Sequence, residues 1–124
     1  MQLTLNLAFS PAPPMKAFIQ NNLWIDVSAE AQLIGFREKV EISQALSDTI
    51  QPIQTEDEDA YNQRLYDAIW LAHHYWCLDQ RPSFSFTFDF LHEDLVTGKV
   101  NENSLRLYLE IREGIASLGL LNDF

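Results

Sequence analysis

Cysteine is almost missing. Cys77 has no second cysteine to pair with, so an internal disulfide is excluded, which fits a reducing compartment. Glycine is scarce, with four in 124 residues and none clustered. That argues against a phosphate-cradling loop of the P-loop or dinucleotide-binding kind. No run of eighteen apolar residues occurs, so no membrane span is expected. The opening MQLTLNLAFSP lacks the basic start of a secretory leader. A cytoplasmic protein without membrane contact is the expectation. Neither CxxC nor HExxH nor a GxSxG elbow is present. Bases are few as well: eight against eighteen acids leave a net charge of −10. Such a field repels nucleic-acid backbones and attracts basic protein surfaces.

What is present suffices for a core. Hydrophobic residues make up 47% and charged residues 21% of the chain, too apolar a mixture for disorder. The length reads as a single domain, 1–124. The acids gather after residue 40: residues 41–67 hold seven acids and one base.

Hydrophobic period then assigns the elements. Residues 3–9 put Leu3, Leu5, Leu7 and Phe9 on one face and Thr4 and Asn6 on the other, a half-buried strand pattern. SPAPP at 10–14 breaks it. The stretch LWIDVSAEAQLIGF at 23–36 reads as a short strand, a helix capped by Ser28, and a stop at Gly35. KVEISQAL repeats the device, with Ser43 capping a helix near 43–50. A long helix is expected over about 56–78, capped by Thr55 and started by the acids Glu56, Asp57, Glu58 and Asp59. Tyr61, Leu65, Ala68, Ile69, Ala72, Tyr75 and Trp76 share its apolar face, extended by Tyr66, Trp70 and Cys77. SFSFTFDF and SLRLYLEI are clean period-two runs and read as antiparallel strands with one wet face. The last stretch, GIASLGLLNDF, reads as a turn and a loose end. The expected fold is α+β: a small antiparallel sheet packed against one long helix, with two short helices.

These residues also carry a resemblance. Ile25, Asp26, Val27 and Ser28, then Ala31, then Gly35, Phe36 and Arg37, are followed by Val40 and Ser43 and later by Arg64, Leu65, Tyr66 and Asp67. Over about residues 15–75 this pattern resembles an uncharacterised bacterial family found in plasmids, phages and integrated elements. The family brings no catalytic residues; what the resemblance implies is an accessory protein of mobile DNA.

Candidate chemistry is sparse. His73 and Cys77 lie four apart on a helix, yet zinc needs three or four ligands, and a packed histidine with an inert thiol is the plainer reading. No cofactor is expected. Phe84, Phe86, Phe88 and Phe90 resemble a base-stacking surface, but acids bracket them, which argues against direct nucleic-acid binding. The function expected is a non-enzymatic accessory that docks on a basic protein surface of a nucleic-acid-handling complex. An inhibitor of host defence, of anti-CRISPR or anti-restriction type, is the fuller form of that expectation. Its contact residues are Glu56, Asp57, Glu58, Asp59, Asp67, Asp89, Glu93 and Asp94, with Asp48 as an extension. Two alternatives are a metal-dependent hydrolase using His73, His74 and His92, and a homodimer built on an exposed sheet edge or on Leu71 and Leu78 of the long helix. Monomer and homodimer both stay open.

Overall fold

The computed structural model describes residues 23–124. The strand expected over 3–9 and the connector at 10–14 lie outside the described residues. The chain runs β1 (Trp24–Asp26), α1 (Ser28–Ile34), β2 (Lys39–Ser43), α2 (Gln44–Thr49), α3 (Ala60–Leu78), β3 (Ser83–Glu93), β4 (Val100–Arg112) and β5 (Ile115–Leu120), closing in a 3-10 turn at Leu121–Asp123. The strands form one sheet in the order β1-β2-β5-β4-β3. Every neighbouring pair is antiparallel except β2 with β5, which is parallel. The α+β expectation holds, with one long helix, two short ones and a mostly antiparallel sheet.

Alternation builds the core face. The β3–β4 register sets Phe84 opposite Leu109, Phe86 opposite Leu107 and Phe88 opposite Leu105. Ala116 and Leu118 of β5 and Val40 and Ile42 of β2 continue the same face. Helix α3 covers it with Leu65, Ala68, Ile69 and Ala72, the i, i+3, i+4, i+7 spacing that keeps one stripe pointing inward, and all four are buried. Burying each large aliphatic or aromatic side chain there contributes about 1.5–3 kcal/mol. On the opposite sheet face, Ser43 caps α2 by accepting from the Leu46 amide, and its hydroxyl donates to Asp123 Oδ2 at 2.6 Å. Gly119 lies directly against that pair: a Cβ there would sit 2.9 Å from Asp123 Oδ2 and 3.1 Å from Ser43 Oγ.

Three expectations are corrected. Helix α3 starts at Ala60 rather than near 56, and its N-cap is Asp59, not Thr55. The reason is that Glu56 is drawn to the edge of β3, while the Thr55 carbonyl accepts from the Leu95 amide, so the chain there cannot coil. Ser28 does not cap α1. It is the helix's first residue, and its hydroxyl accepts from the Val40 amide, tying α1 to β2. Asp26 instead accepts from the Ser28 amide, and its hydrogen bonds to Ser28 hold its carboxyl below the usual range. Finally, the loose end expected after residue 114 is β5, the middle strand of the sheet.

Candidate functional site

Glu56 is the most elaborately held acid in the described chain. Its side chain is 3% exposed and pairs with Arg64, whose side chain is 5% exposed. His92 Nδ1 lies 2.6 Å from Glu56 Oε1. The amides of Ile53 and Glu93 donate to the two carboxylate oxygens at 2.9 and 3.0 Å. Burial alone would push this carboxyl up. The His92 bond, the Ile53 amide, the Arg64 guanidinium and the Glu93 amide outweigh burial and lower it to about 2. Arg64 also donates to the carbonyls of Ile50 and Leu91 and lies over the Phe90 ring. Glu56 is therefore removed from the expected docking acids: it is an internal strut fastening the loop before α3 to the edge of β3.

Beside this strut, α3 and the edge of β3 enclose a groove of about 550 Å³. Asp57, Asp67, Asp89 and Glu93 line it together with the Glu56–Arg64 pair. Among the described residues none of these four is ion-paired. Asp57 accepts from the Asp59 amide, Asp67 from Gln63 Nε2 and Asp89 from the Ser104 hydroxyl, all neutral donors. The fold thus brings together four of the eight expected acids besides Glu56. It leaves out Glu58 and Asp59, which are exposed at the start of α3, and Asp94, which folds into the β3–β4 turn. Accepting from the Val96 amide is the main cause that holds the Asp94 carboxyl below its ordinary value. Asp48 lies on α2, bonded to Gln44, and does not line the groove.

A second groove, of about 410 Å³, lies at the other end of the same edge. Tyr75, Leu78, Phe86, Arg81 and Arg106 are among the residues that line it. In the sequence neither arginine is marked by anything beyond being one of the chain's eight bases.

The histidines are held by three different sets of neighbours. His73 packs edge-on against Phe36, His74 stacks on Trp70, and His92 bonds Glu56. Cys77 Sγ lies 3.6 Å from His73 Nε2 and is exposed. Among the described residues no three His, Cys, Asp or Glu side chains are placed to hold a metal ion. The four phenylalanines of β3 are buried under α3 and offer no stacking surface. Tyr66 and Trp70 lie exposed on α3 rather than in its apolar face, while Leu71 is half-buried against the core. No helix among the described residues is long and apolar enough to cross a membrane.

Gly35 explains how His73 is seated. It ends α1 with φ of +134°, and an added Cβ would meet the His73 ring at 2.9 Å. Gly35→Ala is expected to cost about 1–3 kcal/mol, since it combines a backbone conformation that L side chains rarely adopt with a ring contact. Thermal melts of the variant against wild type measure the loss.

Comparison with known proteins gives no match: no protein-family model, no curated protein and no solved structure is similar to this chain.

Proposed function

We propose that the protein is a non-enzymatic binding module whose acidic groove receives the Lys and Arg side chains of a basic partner surface. The observation that carries this reading is the placement of Asp57, Asp67, Asp89 and Glu93 along one groove, none of them ion-paired among the described residues and the one arginine that lines it, Arg64, already paired with Glu56. Carboxylates gathered along one groove attract cationic side chains and form charge-assisted hydrogen bonds with them. A protein surface rich in Lys and Arg is commonly one that holds nucleic acid, so occupying it competes with that nucleic acid. In the mobile-DNA setting implied by the sequence resemblance, the partner is a host nucleic-acid-targeting defence complex and the effect is inhibition.

The triple variant Asp67→Asn, Asp89→Asn, Glu93→Gln tests this. Tagged wild-type protein is expected to retain a basic nucleic-acid-handling protein from host lysate at low salt and to release it at high salt, because exposed charge contacts are screened. The triple variant is expected to lose at least about tenfold in affinity for the identified partner by titration calorimetry, as befits several lost charge pairs. Equal binding by the variant sinks the reading. So does a captured partner that nucleic acid fails to displace.

A further inference from the structure

We infer that the outer edge of β3 pairs antiparallel with the same edge of a second copy, joining two sheets into one. The inference goes beyond the docking of a basic partner and does not depend on it.

β3 is the last strand of the sheet, so one side of its backbone has no neighbouring strand. The Leu91 carbonyl is bonded by Arg64 and the Glu93 amide bonds Glu56, so odd-numbered residues turn their backbone groups away from β4. The β3–β4 register is unbroken from 83 to 93. Hence Ser83, Ser85, Thr87 and Asp89 present outward amides and carbonyls, and no described residue bonds them. Natural edges are usually blunted by a bulge, a proline or a charged side chain, lysine above all. Residues 83–88 contain none of these, and the charge of Asp89 stands only at the end of the open stretch.

The two ends of this edge differ in sign, and that selects the occupant. Arg81 stands at one end and Asp67, Asp89 and Glu93 at the other, while Arg106, opposite Thr87 on β4, bonds the Ser85 and Thr87 hydroxyls near the middle. A uniformly basic strand laid along the edge would meet the arginines. A second copy, related by a two-fold axis at Phe86, sets Ser85 opposite Thr87 and Ser83 opposite Asp89. Arg81 of each copy then lies diagonally across from Asp89 and Glu93 of the other, within reach of a long side chain. Arg81 now pairs only with its chain neighbour Asp79 at 2.8 Å, and both are exposed, so little is lost when it turns to a new carboxylate. The same operation places both α3 helices on one side of the joined sheet. Tyr75 and Leu78, 41% and 70% exposed on the helix flank nearest the edge, become covered there. Pairing and a basic partner compete for Asp89 and Glu93, so the two surfaces exclude one another.

Sedimentation equilibrium across a concentration series tests the pairing. Wild type is expected to approach twice the 14.3 kDa chain mass. Arg81→Glu alone and Asp89→Arg alone each set like charges together at both ends and are expected to weaken dimerisation at least about tenfold. Mixing the two variants restores opposite charges at both ends, so the mixture is expected to regain the dimer mass. Thr87→Pro, which removes an outward amide and leaves the β4 ladder intact, is expected to stay folded by circular dichroism and to be monomeric. A wild-type monomer at every concentration overturns the inference. So does a mixture that does not recover, or a folded Thr87→Pro dimer. A failed partner assay leaves these readings unaffected.

Discussion

Glu56→Ala is expected to lower the unfolding free energy by about 3–5 kcal/mol, the loss typical when one member of a buried ion pair is removed. The reason is what remains behind: the Arg64 guanidinium would stay buried, bonded to two carbonyls but without its counter-charge. Glu93 would lose a carboxylate acceptor for its amide, and the loop before α3 would lose its fastening to β3. Asp67→Asn, one groove wall away but exposed, is expected to change stability by less than about 0.5 kcal/mol. Urea denaturation of the two variants separates strut from docking acid, and equal losses would contradict the assignment.

The same group sets a pH dependence. Its folded-state carboxyl titrates at about 2, below the ordinary 4.5, so the unfolded chain takes up the proton first. The stabilisation is fully present above 4.5 and drains away as pH falls toward 2. A melting-temperature series across that window is expected to fall more steeply for wild type than for Glu56→Gln, which has no carboxylate to protonate.

Leu118→Ala is expected to cost about 2–5 kcal/mol, the range for truncating a fully buried aliphatic side chain. Leu118 is 1% exposed and pairs across the sheet with Ile42 on one side and Leu109 on the other. If this stretch were the loose end that its sequence suggests, the same change would stay within about 0.5 kcal/mol. Denaturant midpoints with an unchanged slope would assign the loss to the folded state.

That contrast shows what the sequence made legible. β3 and β4 were readable because large apolar residues alternate with polar ones without interruption, so period alone decides the face. Helix α2 was readable because Ser43 is a local cap, acting three residues away. Residues 115–120 hide their strand behind small side chains. Gly119 lowers strand propensity, and the reason it is there, the Ser43–Asp123 pair pressed against it, comes from 76 positions earlier and four later. The start of α3 misled for a similar reason. Local electrostatics favour a helix at residues 56–59, but Glu56 answers to His92 and Glu93, 36 and 37 residues on. Written as letters, Glu56 and Asp67 are equivalent acids. Only the fold makes one a buried strut and the other a groove wall.

The parallel pairing of β2 with β5 has a consequence for how the molecule is made. Glu41 and Ser117, bonded across that pair, are 76 residues apart. A ribosome delivers β1 and β2 early, and the β3–β4 ribbon later, yet neither half touches the other through the sheet until residues 115–120 have left the exit tunnel. Until then β2 and β4 each carry a naked inner edge. The nascent protein is two separate ribbons waiting for one wedge, and closing so long a loop slows the final step. A stalled chain ending before residue 115 should therefore be a ready client for chaperones.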